Sequence, residues 1–419
     1  MAQDGQKSEV SLIPDGGSAK GLQVKPTIEN FIRLMTNHYG DNLRLNEMTG
    51  KPEFWDSTRK AWREWTDAEE SRMKAYFEST YSMYSQNKLT DALLIYFQNH
   101  KVNPLLDILN DLKWDGKPRV EQFLHDVMKC EDSAYTRECS RLIFAGGVHR
   151  AYRPGCKFDD MIVLIGNQGG GKSTIVRWLN IDEQFYQEIK TISGKEGIEA
   201  IRGVWIGEVA ELMAMTRVKE AEAVKAYITS QKDSYRPPYQ KNVQTIPRRC
   251  VFIGTTNNPQ FLTDKTGNRR FYPVQCYADG YKLQDAEPQI RAYIRQAWAE
   301  AVQLYKEGKL QPFAKKEVLD QIREAQEAAM EDDWRIGAIE QYLEDTKKAP
   351  NSTVSVIELW HRALKEPDES KPARSDSIAI TQILESIPGW VKSDTKISTL
   401  WGRQKCFKKI NPYFPSWKR

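Results

Sequence analysis

The sequence has few of the residues that build metal centres and disulfide frameworks. Its five histidines are scattered along the chain, and its six cysteines include no C-x-x-C pair. Neither a zinc site nor a disulfide framework is therefore indicated, and no Ser/His/Asp or Cys/His catalytic series stands out. A reducing cytosol fits this cysteine usage best.

Long apolar runs are also missing. No stretch approaches the ~18 residues of a membrane span, and residues 1–25 are polar without an apolar signal region, so we expect neither a membrane nor secretion. The net charge of +4 is mild; it permits nucleic-acid binding, but only local clusters of charge can argue for it. With 419 residues, of which 40% are hydrophobic, the chain can form two or three domains.

What the sequence does have is a glycine-rich stretch in a distinctive setting. It follows the apolar, largely β-branched run Met161–Ile165, which predicts a strand, and it precedes residues 175–179, which predict the opening of a helix. It fits the pattern G-x-x-x-x-G-K-[S/T] of a phosphate-binding loop. We predict that it binds ATP through Gly166, Asn167, Gln168, Gly169, Gly170, Gly171, Lys172, Ser173 and Thr174.

Each part of this stretch has a use in binding a nucleotide. Glycines let several backbone N–H groups point inward at a polyphosphate, and the following helix adds its positive N-terminal end. Lys172 would reach the β- and γ-phosphates, and the Ser173 hydroxyl would ligate Mg²⁺. A chance match in a glycine-rich loop is the alternative, which the flanking strand and helix disfavour.

Two acidic residues follow a second apolar stretch. Residues 203–207 predict a strand that ends in Glu208, and Glu211 lies three residues later. An acid at the end of a buried strand beside a phosphate loop orders a water on Mg²⁺ or activates the water that attacks the γ-phosphate. Glu208 is the stronger candidate because it directly follows the predicted strand. A solvated strand end is the alternative, and the division of roles between the two glutamates stays open.

A third predicted strand, residues 249–256, leads to further candidates. Asn257 directly follows it, and an amide at that position can hold the attacking water or sense the γ-phosphate. A Gly-Asn turn then presents Arg269 and Arg270 ahead of another strand. We interpret these two as an arginine finger that reaches a neighbouring subunit's nucleotide; a buried structural ion pair is the alternative explanation for one of them.

The stretch between these motifs predicts a nucleic-acid contact. Pro237 and Pro238 forbid a helix and favour a protruding loop or hairpin. Cations interleaved with aromatic rings on such a loop suit a nucleic-acid backbone with unstacked bases, and the residues predicted to make the contact are Lys232, Arg236, Tyr239 and Lys241. A solvated loop or a subunit contact is nearly as good an explanation.

We divide the chain into four parts: a flexible tail (1–26), an N-terminal α+β module (27–104), an ATPase domain (105–312) and a C-terminal domain (313–419). The last part shows helical patterns at 334–343, 355–364 and 375–385, then signs of a short sheet near Trp390 and Trp401. Helices followed by a short hairpin resemble a winged helix. The basic residues after Trp390 suit a DNA-phosphate surface; solvated charge or a contact to the ATPase core are the alternatives.

Taken in order, these motifs resemble superfamily 3 helicases. More closely, the chain resembles the virulence-associated protein E family of phages, prophages and bacterial genomic islands. The resemblance is firm over residues 103–345 and is carried by residues 112–119, 166–174, 207–212, 235–239, 254–257 and 266–271.

The resemblance implies an α/β fold with an AAA+-like P-loop NTPase core that works as a ring, usually a hexamer, on DNA. By position it implies that Lys172 and Ser173 bind ATP and Mg²⁺, that Glu208 is the Walker B acid, that Asn257 is sensor 1, and that Arg269 or Arg270 is the finger. One departure concerns the Walker B pattern, which usually has two adjacent acids, whereas Gly207 precedes Glu208 here.

The expected function is an ATP-dependent helicase or translocase on single-stranded or forked DNA, acting in replication of a mobile element in the cytoplasm of a bacterial host. The alternative is an ATP-gated initiator that assembles at an origin and recruits host replication proteins without much unwinding. A ring ATPase acting on RNA is a third possibility. Many relatives carry a primase domain, and none is recognised in this sequence, so any primase is expected to be a separate chain.

Overall fold

The computed structural model describes residues 24–192, 194–210, 218–235, 244–262, 268–330, 334–347, 349 and 352–410. The chain divides into two compact units, Met1–Met330 and Glu331–Arg419.

The first unit begins with a small α+β layer. Three helices cover a four-stranded sheet in the order β3-β2-β1-β4, and Phe31, Phe77 and Tyr96 form its core. The Thr66 and Glu69 side chains form a capping box that starts the second helix. The elements are α1 (Ile28–His38), β1 (Leu43–Asn46), β2 (Lys51–Asp56), β3 (Ala61–Glu64), α2 (Asp67–Tyr81), α3 (Gln86–Asn99) and β4 (Lys101–Val102).

A five-stranded sheet forms the centre of the first unit. Its order is β11-β5-β10-β7-β6, and every pairing within it is parallel. Since parallel strands need crossovers, α-helices lie between β5, β6, β7 and β10 along the chain. The elements are α4 (Pro104–Asp111), α5 (Phe123–Met128), α6 (Ala134–Tyr152), β5 (Met161–Ile165), α7 (Lys172–Leu179), β6 (Tyr186–Glu188), α8 (Gly194–Ala200), β7 (Ile206–Ala210), α9 (Val218–Thr229), β8 (Lys232–Tyr235), β9 (Gln244–Pro247), β10 (Val251–Thr256), β11 (Phe271–Gln275), α10 (Gly280–Asp285), α11 (Glu287–Lys306) and α12 (Leu319–Ala328).

Two tryptophans fix helices to one face of this sheet. Trp205 and Trp298 are fully buried, and their ring centroids lie 4.3 Å apart. The Trp205 indole N–H donates to the Gly147 carbonyl of α6, and that of Trp298, on α11, donates to the Leu179 carbonyl of α7. These bonds satisfy the polar ends of two large apolar side chains, so α6, α7 and α11 are held to the sheet and to each other.

The opposite face has its own apolar core. Val224 and Tyr227 of α9 belong to the same buried cluster as Val209 of β7 and Phe252 of β10. Helices therefore cover both faces of the sheet, which explains why the strand at Met161–Ile165, correctly predicted from the sequence, is buried at every residue and is apolar throughout.

The predicted position of Glu208 at a strand end is wrong. β7 runs from Ile206 to Ala210, so Glu208 is its third residue and pairs in register with Ile253 of β10. The residues before it turn rather than extend, and Gly203 has a left-handed backbone with φ of +82°. The residue is 1% exposed, so its side chain is buried inside the sheet and is not at a solvated strand end.

The second unit is a smaller α+β layer. It contains a three-stranded antiparallel sheet in the order β12-β14-β13 and an apolar core that includes Ile339, Leu359 and Ile380. The helices and the hairpin predicted here are present; the winged-helix assignment stays a prediction. The elements are α13 (Trp334–Thr346), β12 (Thr353–Ser355), α14 (Val356–Glu358), a π-helical turn (Leu359–Ala363), α15 (Arg374–Ser386), β13 (Trp390–Thr399) and β14 (Gly402–Lys409).

The four-part division made from the sequence stays a prediction. In the structure, α12, which that division assigned to the C-terminal domain, packs in the first unit, where the Gln326 amide donates to the Phe271 carbonyl. None of the helices in the described ranges combines the length and apolar character needed to cross a bilayer.

Candidate active site

The glycine-rich stretch forms the turn between β5 and α7. Gly169 and Gly171 have φ of +78° and +77°, a left-handed conformation that side chains with a Cβ rarely adopt. Gly171 is the N-cap of α7. The loop therefore lies at the carboxyl end of a central parallel strand and at the N-terminus of a helix, where backbone N–H groups and the helix dipole favour an anion.

Lys172 is the first residue of α7 and turns back into the loop. Its Nζ donates to the carbonyls of Gly166 (2.7 Å) and Asn167 (2.9 Å) and to Oδ1 of Asn257 (2.9 Å). The residue is only 8% exposed, and this burial lowers the pKa of its ammonium group. The predicted sensor Asn257 therefore contacts the predicted phosphate-binding lysine directly, although the two lie 85 residues apart in the sequence.

Ser173 and Glu208 form the second half of the site. The Ser173 hydroxyl donates to Oε1 of Glu208 at 2.6 Å, and the Thr255 hydroxyl donates to the same oxygen at 2.7 Å. The Tyr186 hydroxyl donates to Oε2. Burial, followed by this bond to a carboxylate, raises the pKa of Tyr186, so the phenol stays a donor. Three hydroxyl groups thus satisfy one buried carboxylate.

Sequence reasoning missed Tyr186 and Thr255 as parts of this group. Tyr186 opens β6 and Thr255 lies in β10, the two strands that flank β7. No local motif marks Tyr186, and the motif that contains Thr255 was interpreted only through Asn257. Only the strand order, which sets β6 and β10 on either side of β7, identifies them as partners of Glu208.

Asn180 joins the two elements that carry Ser173 and Glu208 and was also missed. Its side chain is fully buried at the end of α7. Nδ2 donates to the carbonyls of Val176 and Ile206, both at 3.1 Å, and Oδ1 accepts from the Ile206 N–H at 2.9 Å. The helix that carries Ser173 is thereby bonded to the strand that carries Glu208.

The chemistry of the donor set fits Mg²⁺. A serine hydroxyl and a carboxylate oxygen are hard oxygen ligands, and Mg²⁺ in phosphate sites takes one or two carboxylates together with phosphate oxygens and water. Among the described residues no cluster of three or more His, Cys, Asp or Glu side chains could hold a metal on its own. Ser173 and Glu208, which were predicted as metal ligands, lie next to each other and could both contribute to such an ion. Glu211 lies outside the described residues.

The paired arginines lie at the other end of the sheet. Asn268–Arg270 form one turn of 3-10 helix just before β11, and Phe271 pairs with Met161, the first residue of β5. The glycine loop follows Ile165, at the far end of the same strand, roughly 15 Å away for a five-residue strand. Arg269 is exposed. The structure therefore does not bring Arg269 or Arg270 to Lys172 of the same chain.

Of the predicted nucleic-acid residues, the structure describes Lys232, which lies on a two-stranded hairpin. Exposed Lys232 begins β8, which pairs with β9; Arg236, Tyr239 and Lys241 lie outside the described residues. At the base of the hairpin the buried Arg248 guanidinium forms an ion pair with Asp233. The Arg248 guanidinium also donates to the Tyr227 carbonyl of α9, so the described part of the hairpin is bonded to that helix.

Comparison with curated proteins gave no match. Solved structures similar to this chain include the apo structure of the NrS-1 C-terminal region (305–718). The sequences are 13% identical, the match covers 88% of this chain and 95% of that chain, and the TM-score is 0.47. They also include the A-form apo structure of the NrS-1 C-terminal region, with 12% identity over 88% and 96% and a TM-score of 0.46. The family model described as the virulence-associated protein E-like domain matches residues 109–331, more than half of the chain. The chain belongs to the virulence-associated protein E-like domain family.

Proposed function

We propose that this protein is an ATPase that acts on DNA as a ring-forming helicase or translocase. The observation that carries the proposal is the convergence of Lys172, Asn257, Ser173 and Glu208 at one end of the parallel sheet. These four residues come from three separate sequence motifs. Their side chains provide a cation, an amide, a hydroxyl and a carboxylate beside a left-handed glycine turn, which is what a nucleoside triphosphate with Mg²⁺ requires.

Each residue has a role in this proposal. The Lys172 ammonium exchanges its bonds to the Gly166 and Asn167 carbonyls for the β- and γ-phosphates. Ser173 and Glu208 hold Mg²⁺, which neutralises charge on the phosphates when bound. Asn257, already in contact with Lys172, senses whether the γ-phosphate is present.

The proposed substrate is single-stranded or forked DNA in the replication of a phage, prophage or genomic island, in the cytoplasm of a bacterial host. Membership of the virulence-associated protein E-like family supports this setting, given the mobile elements in which the resembling proteins occur. Exposed Lys232 at the start of the hairpin supports a contact to the DNA backbone. A homohexamer with ATP sites shared between subunits is proposed from the same resemblance.

ATP hydrolysis with and without single-stranded DNA tests the proposal. DNA should stimulate the full-length protein, and Lys172→Ala should lower turnover on the order of 10³-fold, because a main phosphate contact is lost. Lys190→Ala is the matched control, since Lys190 is an exposed lysine of the same sheet region. Equal thermal unfolding midpoints for both variants would show that the fold is kept.

Strand separation on a forked duplex then tests the coupling of hydrolysis to unwinding. If the protein hydrolyses ATP but separates no fork in any oligomeric state, unwinding is wrong. Sequence-selective DNA binding that survives Lys172→Ala would instead identify an ATP-gated initiator. Stronger stimulation of ATP hydrolysis by single-stranded RNA than by single-stranded DNA would show that the protein acts on RNA.

A further inference from the structure

The segment that follows β11, residues 276–283, lies directly against the glycine loop. A Cβ placed on Gly166 would lie 2.7 Å from the Cys276 carbonyl oxygen, and one placed on Gly280 would lie 2.1 Å from the Gly169 carbonyl oxygen. Such distances leave no room for a side chain. The segment therefore contacts the loop at its first residue, Gly166, and again at Gly169.

Two tyrosines on this segment are exposed although their backbone is fixed. Tyr277 is 69% exposed and Tyr281 is 82% exposed. The Tyr277 N–H donates to the Met128 carbonyl at 3.1 Å, and the Tyr281 N–H donates to Oδ1 of Asp279 at 3.0 Å. Two large rings are thus held in solvent on either side of the closest approach to the loop.

The strand order indicates which end of a nucleotide these rings face. Glu208 of β7 and Asn257, which follows β10, lie on one side of β5, while β11 lies on the other. A polyphosphate that ends with its γ-phosphate beside Asn257 and Glu208 has its nucleoside at the opposite end of the loop. That end is bordered by β11 and by the segment that continues from it.

We propose that Tyr281, together with Tyr277, forms the base-binding part of the site by stacking on the purine of the bound nucleoside triphosphate. This inference rests on the proposed nucleotide-binding function and names the residues that contact the base. An aromatic ring stacks on a base without hydrogen bonds to its edge, and removing one such ring weakens binding severalfold to about a hundredfold. The stacked base also covers two rings that are otherwise exposed to water.

Binding of two ligands to the full-length protein separates base contacts from phosphate contacts. The ligands are Mg·ATP and inorganic tripolyphosphate with Mg²⁺, which has the phosphates but no base, and titration calorimetry measures both. Tyr281→Ala should weaken ATP binding roughly tenfold or more and leave tripolyphosphate binding unchanged. Tyr281→Phe should bind ATP like the wild type, because the ring is retained. Tyr84→Ala, which removes a 66% exposed tyrosine of the N-terminal layer, is the matched control.

Three results would overturn the inference. The Tyr277→Ala/Tyr281→Ala double variant could bind ATP like the wild type, which would mean that the rings touch no base. In Tyr281→Ala the binding of ATP and the binding of tripolyphosphate could weaken equally, which would indicate that the substitution disturbs the glycine loop. The wild type could bind tripolyphosphate but bind ATP no more tightly, which would exclude base recognition while leaving the phosphate site intact. If the wild type binds neither ligand, the proposed function itself fails, and the base site fails with it.

Discussion

Glu208 is a buried acidic residue whose side chain is hydrogen-bonded by three other residues of the site. Its buried carboxylate accepts from Ser173, Thr255 and Tyr186. Glu208→Gln keeps the shape but removes the charge, so we expect ATP to bind while turnover falls on the order of 10²-fold or more. Glu188→Gln is the control, because Glu188 is an exposed carboxylate directly opposite in the neighbouring strand. Equal turnover in the two variants would remove Glu208 from the reaction.

Asp160, just before β5, provides a prediction about pH. Burial raises the pKa of its carboxyl group from an ordinary 3.8 to about 7. A hydrogen bond from Tyr272 lowers the pKa, but by less than burial raises it. Between these values the folded chain holds a proton that the unfolded chain releases, so the free energy of unfolding falls as pH rises from about 4 to about 7. Asp160→Asn removes this titration.

The variant Asp160→Asn should therefore gain stability over the wild type as pH rises through that window, on the order of 4 kcal/mol by pH 8. Thermal unfolding midpoints at pH 4.5 and pH 8 measure the gain. Asp91→Asn, an exposed carboxylate on α3, is the control. A gain that is the same at both pH values would contradict the assignment to Asp160.

At the residue scale the sequence predicted the members of the site that belong to a linear motif. Lys172, Ser173, Glu208 and Asn257 were all identified, and the structure brings them together. Tyr186, Thr255 and Asn180 were not, because each acts on a residue of a different strand or helix. A single tyrosine or asparagine has no spacing that marks it, so its role becomes visible only when the strand order is known.

The element that shapes the loop is the segment packed against it. Gly280→Ala would place a Cβ 2.1 Å from the Gly169 carbonyl oxygen, so the loop or the segment must move. We expect a loss of stability of about 1–3 kcal/mol and weaker tripolyphosphate binding, both measured on the full chain. Gly337→Ala in α13 is the control, because nothing lies within 4 Å of its added Cβ. Unchanged tripolyphosphate binding in Gly280→Ala would show that the contact does not shape the loop.

The hairpin of the second unit has two lysines directly opposite each other. Lys396 of β13 faces Lys405 of β14, and both are exposed. Like charges in this position destabilise a sheet, and a DNA backbone would relieve the repulsion. Lys396→Ala/Lys405→Ala should weaken DNA binding and reduce the slope of log affinity against log salt by about 1 to 2.

Lys392→Ala serves as the control for the hairpin, since Lys392 lies on the same strand but is paired with Glu385. DNA affinity measured at several salt concentrations gives the slope for each variant. If the double variant keeps the wild-type salt slope, these lysines are solvated charge, which was one of the alternatives that the sequence left open.

At the element scale, sequence patterns identified most elements but not how they pair. The run Met161–Ile165 was predicted as the strand it is, because burial on both faces leaves an uninterrupted apolar sequence. The strand at Ile206–Ala210 was placed three residues too early, since an apolar run contains no mark of the turn at Gly203. The short edge strand β6 and the packing of residues 276–283 on the loop depend on contacts between distant residues and have no local signal.

At the scale of the whole molecule, the arginines and the glycine loop lie at opposite ends of the sheet. β5 and β11 are parallel and in register from Phe271 and Met161 to Gln275 and Ile165. Arg269 and Arg270 precede this pairing and the loop follows it, so one chain cannot use its own arginines at its own loop without unfolding the sheet. Residues with this separation can serve one reaction only if a second copy of the chain supplies the arginine.

Mixing two inactive variants tests this arrangement. Lys172→Ala should lack the phosphate contact, and Arg269→Ala/Arg270→Ala should lack the finger, so each alone should hydrolyse ATP on the order of 10³-fold more slowly. In random mixed rings about a quarter of the interfaces combine an intact loop with an intact arginine pair, so turnover should recover to roughly that share of wild type. Arg323→Ala, an exposed arginine on α12, should stay active by itself. A mixture as inactive as its parts would mean that the ATP sites are not shared, since subunits that each complete their own site gain nothing from a neighbour.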